Sequence, residues 1–162
     1  MELRNFRPND AEAVDRVAVA AFEQFRDRYD DWPAMAASVG RMSELAKSAE
    51  LIVAEHDGHV IGAVGYVGPG QSKAEWFDRA WPVIRLLVVD PAHRGLGMGR
   101  TLTEECIQRA RRDRSPAIAL HTSPIMTVAL PMYRRMGFEW HCDAPPIRGV
   151  PYAVYLKRLD DA

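Results

Sequence analysis

Three glycines at alternate positions, enclosed by two arginines, make Arg94-Gly95-Leu96-Gly97-Met98-Gly99-Arg100 the segment best equipped for chemistry. Glycine admits positive φ and lets a ligand approach the backbone without meeting a Cβ. The segment follows an apolar run and precedes a helical pattern, so its unpaired N–H groups would converge on an anion at the positive end of a helix dipole. Arg94 and Arg100 add fixed charge. Each charge-assisted hydrogen bond to a pyrophosphate there would contribute about 1.5–3 kcal/mol. Two common nucleotide turns do not fit. A P-loop ends in Gly-Lys-Ser/Thr, whereas Gly99 is followed by Arg100 and Thr101. A dinucleotide turn needs G-x-G-x-x-G and an acidic residue about 20 positions later. Here the glycines run G-x-G-x-G, and no Asp or Glu occurs between Asp113 and Glu139.

Nucleophilic and metal chemistry are less well supplied. Cys106 falls on the apolar stripe of its helix and Cys142 near a strand end has no base arranged beside it, so both read as packing residues. His56-x-x-His59 straddles a tight turn with no Cys or carboxylate set around it, and no metal is expected.

The elements that position the glycine turn follow from periodicity. Leu3 and Phe6 suggest a short first strand, and Asn9 or Asp10 caps a helix whose apolar stripe runs from Ala11 through Val14, Val17, Ala18, Ala21 and Phe22 to Phe25. Pro33 opens a weaker helical segment that ends near Lys47. The runs 51–54 and 60–66 flank Asp57-Gly58, a strong signal for an antiparallel hairpin. After a polar connection, Val83 to Val89 is the most continuous apolar run, stopped by Asp90-Pro91, and it predicts the central strand. A helix over 97–112 and a strand over 117–121 complete a βαβ unit, so the two strands should be parallel. A helix over 126–136, broken or kinked by Pro131, and strands over 138–142 and 152–156 close the chain. The fold class is therefore α+β with a mixed sheet.

With this order of elements the chain resembles the GCN5-related N-acetyltransferase (GNAT) superfamily. The family's phosphate motif, Arg/Gln-x-x-Gly-x-Gly/Ala, is met by Arg94 to Gly99, and its second signature, Ala-x-x-x-Tyr-x-x-x-Gly-Phe, by Ala129, Tyr133, Gly137 and Phe138. The resemblance implies one acetyltransferase domain over residues 1–162. It implies a mixed, mostly antiparallel sheet of six to seven strands flanked by about four helices, with a splayed parallel central pair. It implies acetyl-CoA as co-substrate, with pyrophosphate on the amides of Gly95, Leu96, Gly97, Met98, Gly99 and Arg100 beside Arg94, and main-chain groups of Leu87, Val88 and Val89 along the pantetheine arm. An N–H aimed at the acetyl oxygen would stabilise its developing charge by roughly 3–4 kcal/mol. Tyr133 corresponds to the general acid that protonates the departing thiolate, which a phenol of pKa about 10 can do for a thiol near 8.5.

The acceptor side departs from the family. Trp81-Pro82-Val83 stands where many relatives carry a Glu that deprotonates the amine, so Glu75, Asp78 and His121 are the substitutes, and Met126 replaces a common Asn. Phe25, Tyr29, Trp32, Trp76, Phe77 and Trp81 concentrate around the first two helices and the connection after Gly68, a surface suited to the amine of a small molecule or peptide. Asp27, Asp30 and Asp31 would favour a cationic acceptor. The alternative class is a non-catalytic acyl-CoA-binding or regulatory module that kept the phosphate turn.

Composition bounds these readings. The 162 residues carry 21 Lys plus Arg against 22 Asp plus Glu, a formal charge of -1, which argues against nucleic acid as partner. The balance hides a polarity, because residues 94–114 alone hold six arginines against three acids. Two cysteines make no disulfide framework, and neither a signal peptide nor a membrane span is evident, so a cytoplasmic location is expected. Oligomeric state is not written in the chain; relatives are often dimers, and a homodimer is an expectation that rests on the resemblance alone.

Overall fold

A computed structural model describes residues 1–159. In chain order the elements are β1 (Glu2–Asn5), α1 (Ala11–Phe22), α2 (Trp32–Val39), β2 (Glu50–His56), β3 (His59–Val67), β4 (Val83–Val89), α3 (Met98–Arg112), β5 (Ala117–Thr122), α4 (Ala129–Arg135), β6 (Glu139–Ile147) and β7 (Val150–Arg158). The strands form one sheet in the order β1-β2-β3-β4-β5-β7-β6. Every pairing is antiparallel except β4 with β5. The expected α+β architecture, with its mixed seven-stranded sheet and four helices, is therefore present.

Helices cover both faces. Met98, Leu102, Cys106 and Ala110 of α3, with Leu130 and Tyr133 of α4, bury against Ile52, Ile84, Ile118 and Leu120 on one face. Val14, Val17, Ala18 and Ala21 of α1, with Met35 and Val39 of α2, bury against Val53, Ala63 and Val88 on the other. Close approach decides one glycine. A Cβ on Gly62 would stand 3.1 Å from Met98 Sδ and 3.2 Å from Leu102 Cδ1, so its absence lets α3 lie directly on β3.

The two strands that form the parallel pair barely touch. Val83 opposite Ala119 is their one registered pair, beside a bond from the Ala119 N–H to the Pro82 carbonyl at 3.0 Å. Beyond that point β4 and β5 part towards their C-terminal ends. On its other side β4 carries a bulge: the β3–β4 register slips between Ala63 and Gly65, and Leu86 takes a φ of 56°. A branched residue in the left-handed region costs about 1–2 kcal/mol. The slip places Leu86 and Leu87 together opposite Val64, which re-aims the strand where it begins to diverge.

Three expectations are corrected. The weak second helix is two pieces, α2 and a 3-10 segment over Met42–Lys47, and Gly40 fits their junction because a Cβ there would meet the Ala36 carbonyl at 2.9 Å and Val19 of α1 at 3.2 Å. The last helix starts at Ala129, not Met126, so Pro131 is its third residue, and the bonds on either side of it, from the Leu130 N–H to the Met126 carbonyl at 3.0 Å and from the Met132 N–H to the Val128 carbonyl at 3.3 Å, are in place. The strands expected over 138–142 and 152–156 extend to Ile147 and from Val150, joined by Arg148-Gly149 with φ of 44° and 81°. Pro145 and Pro146 are tolerated there because β6 is an edge strand and its outward N–H groups pair with nothing.

Candidate functional site

A groove of about 580 Å³ opens where β4 leaves β5. Leu87 and Val89 of β4 line its floor, Gly95 and Gly97 with the first turn of α3 one end, and Met126 to Ala129 with Met132 and Arg135 the α4 wall. Phe22 and Phe25 close it from the end of α1. No side chain caps α3, and its N-cap residue, Gly97, has φ of 77°. The first-turn N–H groups of Met98, Gly99 and Arg100 therefore face the groove without intrahelical acceptors. Gly95, at φ of 80°, and Gly97 have nothing within 4 Å of where a Cβ would stand. The turn is an open cradle of amides with a positive dipole end behind it.

The arginines differ in setting. Arg94 donates to the Ala21 carbonyl at 3.3 Å, tying the turn to α1, whereas Arg100 stands exposed on the rim. Of the remaining turn and strand residues, Leu96 points to solvent at 70% exposure, and the Val88 side chain is buried on the α1 face, leaving only its backbone near the groove. Gly99 is not required by strain, since a Cβ there would make ordinary contacts at 3.6 Å to Met132 and 3.7 Å to Leu87.

Tyr133 lies behind the groove wall rather than on it. It is buried between α3 and the sheet, its ring edge-on to Phe138 at 5.7 Å, while Ala129, Met132 and Arg135 of the same helix face the groove. Burial raises its proton affinity above that of an ordinary phenol, so the hydroxyl carries its proton at all working pH. Cys106 is fully buried and its thiol is likewise pushed up by desolvation. It is an inert packing group.

The sequence-named base candidates stand apart from the groove lining. Glu75 is exposed in the connection between β3 and β4, and Asp78 in the same connection accepts from the Ala80 N–H at 2.8 Å, holding the turn. His121 lies on β5 at the vertex of the strand opening, against Trp76, Phe77 and Tyr152. Desolvation, helped by the charge of Arg85, pushes its pKa down to about 4, so the imidazole is neutral. The hydroxyls of Tyr152 and Tyr29 are hydrogen-bonded to each other beside it. Tyr29 and Tyr152 therefore join α1's C-terminal extension to β7, a link between residues 123 positions apart that no local pattern displays.

His93 and Arg135 are groove residues that sequence reasoning passed over. His93 packs against His56 at 6.3 Å and its Nδ1 is buried without a partner. Its position next to Arg94 was the available signal. For Arg135 it was the helical step from Met132.

A splayed parallel pair ending in an amide cradle at a helix N-terminus is the fold of the GCN5-related N-acetyltransferases. The PaiA N-acetyltransferase of Thermoplasma acidophilum, solved in complex with coenzyme A, superimposes with a TM-score of 0.78 at 16% identity, covering 98% of each chain. The acetyltransferase YncA of Salmonella typhimurium, solved with acetyl-CoA, gives a TM-score of 0.68 at 21% identity, over 100% of this chain and 95% of that one. The family model for the acetyltransferase (GNAT) family matches residues 12–138, and the chain belongs to that family. In sequence it is 32% identical over 124 residues to the mycothiol acetyltransferase of Cellulomonas flavigena, which is 70% of this chain and 34% of that protein. The chain spans about a third of the length of the curated relatives it matches. Among the described residues no helix is long and apolar enough to cross a membrane.

Proposed function

We propose that this protein transfers an acetyl group from acetyl-CoA directly to an amine of a small molecule or peptide. The observation that carries the reading is the amide cradle from Gly95 to Arg100, open at both positive-φ glycines and set at the end of a groove whose floor is the splayed strand β4. The cradle fits a pyrophosphate, since the space a Cβ would fill at Gly95 and Gly97 is empty. Acetyl-CoA would supply an activated thioester, held by those amides with Arg94 and Arg100, and by main-chain groups of Leu87, Val88 and Val89. Tyr133 is the proposed acid for the leaving sulfur: burial keeps the proton on its hydroxyl, and because its ring lies behind the α4 wall, delivery requires that wall to yield where Ala129 and Met132 line the groove. Glu75 and His121 are the two residues available to receive the amine proton. An imidazole of pKa about 4 accepts a proton weakly, so His121 serves best by passing it through water. Direct transfer is supported by the burial of Cys106, which denies it a nucleophile's role.

The test is thiol release from acetyl-CoA against amino acids, polyamines, aminoglycosides and peptide N-termini, with the acetylated amine quantified beside it. Stoichiometric release with one acceptor class is the expected outcome. Saturable CoA binding with no release for any amine would instead mark a CoA-binding module, and no CoA binding would refute both.

A further inference from the structure

The vertex of the strand opening holds side chains that the groove does not use. Arg85 and His121 stand two residues beyond the Val83–Ala119 pair, one on β4 and one on β5. Arg85 is exposed although it lies on a central strand, and no hydrogen bond or ion pair engages it among the described residues. Its side chain is on the α1/α2 face, because the position a Cβ would take on the neighbouring Gly65 lies 3.7 Å from Arg85 Cβ and 3.1 Å from Leu45, which packs against α1. The Arg85 side chain reaches solvent at the edge of the cover that Trp76, Phe77 and Tyr152 lay over His121.

The charge of Arg85 is felt by His121, whose ring nitrogen is one of two unpartnered polar atoms here. His121 Nδ1 and Trp76 Nε1 are two of the four buried side-chain polar atoms that lack a hydrogen bond among the described residues, and their rings are 6.2 Å apart. Buried polar groups are nearly always paired, so two orphans in one place leave hydrogen-bonding capacity for a polar partner. Phe77 and Tyr152 wall the same spot, with ring centroids 5.8 Å and 5.1 Å from His121. The Trp76 group can only donate, and Arg85 presents five donors in a planar fork. Of the acids around this end, Asp31 caps α2 through the Ala34 N–H at 3.2 Å, the Asp30 carboxylate lies over Gly149 of the β6–β7 turn, and Asp78 accepts from the Ala80 N–H at 2.8 Å, while Glu75, next to Trp76 in the chain, is exposed to solvent.

We infer that Arg85, Trp76 and His121 form an anion subsite of the acceptor pocket, so that the amine acetylated by this protein also carries a carboxylate. The inference rests on the acetyl-transfer reading above. A guanidinium fork matches a carboxylate with two parallel hydrogen bonds, and the indole N–H and imidazole complete its coordination. Only the bulged Leu86 separates Arg85 from Leu87 of the groove floor, so an acceptor anchored here has its amine beside the path assigned to the thioester. The subsite adds a carboxylate to the amine acceptor and is independent of the cluster Asp27, Asp30 and Asp31, which in the sequence favours a cationic acceptor.

The subsite is tested by calorimetry on CoA-saturated protein with N-acetylglycine, N-acetylphenylalanine and N-acetylglutamate, each against its α-carboxamide. These probes need no turnover. The wild-type protein should bind the free acid of at least one pair about tenfold or more tighter than the amide, as loss of a charge-assisted contact implies. Arg85→Gln should bring the pair within about twofold while leaving CoA affinity and thermal midpoint in place, and Arg85→Lys should retain part of the preference. Equal binding of acid and amide by the wild type, no binding of either, or a preference that survives Arg85→Gln overturns the subsite alone. Failure of CoA itself to bind overturns the acetyl-transfer reading and the subsite with it.

Discussion

Two glycines in this chain share a φ of 77° and an empty 4 Å shell around the position of a Cβ, yet they serve different ends. Gly58 turns the β2–β3 hairpin and Gly97 caps α3 at the groove. Alanine at either position is held in the left-handed region at a cost of about 1–2 kcal/mol. For a chain of this length that lowers the thermal midpoint by about 2–8 °C in both variants. At Gly97 the added methyl also stands in the cradle. Displacing a pyrophosphate from one of its amides removes a charge-assisted bond of about 1.5–3 kcal/mol, or roughly 10–150-fold in Kd. Thermal unfolding and calorimetric titration with CoA therefore give a matched comparison: equal loss of stability, and loss of affinity for Gly97→Ala only. Gly99→Ala separates occlusion from strain, because its φ is not positive and its Cβ points towards Leu87 and Met132. It should weaken CoA binding with no loss of stability. If Gly97→Ala and Gly58→Ala bind CoA alike, the cradle is not the pyrophosphate site and the proposed function loses its support.

Tyr133→Phe should lower kcat about 100-fold or more with little change in thermal midpoint, since no hydrogen bond to the hydroxyl is present among the described residues; unchanged kcat would remove Tyr133 as the acid. His121 contributes to stability with a defined sign. Its folded pKa of about 4 lies below the ordinary 6.5, so the unfolded chain binds the proton more readily between those values. The contribution is complete above pH 6.5 and is lost as pH falls through 6.5 towards 4, up to about 3 kcal/mol in all. His121→Asn should flatten the pH dependence of the thermal midpoint across that window, and an unaltered slope would contradict the burial argument. Cys106→Ala with Cys142→Ala should leave kcat within about twofold, because a buried, protonated thiol takes no part in direct transfer, whereas a loss of 100-fold would point to an acetyl-cysteine.

The sequence was most legible at the glycine turn, where the backbone forms the proposed cradle. Glycines at 95, 97 and 99 have few other reasons to occur together, and the structure shows the first two at positive φ on an open surface. Apolar periodicity was equally reliable for β4 and α3, whose buried faces are long enough to dominate local preference. It failed where tertiary contact overrides it. Gly40 stands at the end of α2 where a side chain would crowd Ala36 and Val19 of α1, and Pro145-Pro146 reads as a break only until β6 is known to be an edge. Pro131 read as a kink because the start of α4 was placed three residues early. Nothing in the local pattern of β4 announces the bulge at Leu86, since a leucine is an ordinary strand residue and its positive φ is imposed by the register with β3.

The proposed acceptor end was hidden for a different reason. Tyr29, Trp76, Arg85, His121 and Tyr152 come from five segments, and they meet only because β5 lies between β4 and β7 and parts from β4 after one pair. Each has an unremarkable reading alone: an arginine in a strand, a histidine at a strand end, two tyrosines among several. Their chemistry is collective, and the missing partners of Trp76 and His121 exist only as properties of the assembled site. The division follows the two tasks. A cofactor common to a family can be held by backbone amides, which any sequence supplies once glycine clears the space, whereas an acceptor particular to one protein must be read by side chains. Substitutions at the vertex of the strand opening can therefore change which amine is accepted while the cradle at Gly95 to Arg100 stays as it is, and the separate responses of Arg85→Gln and Gly97→Ala measure that independence directly.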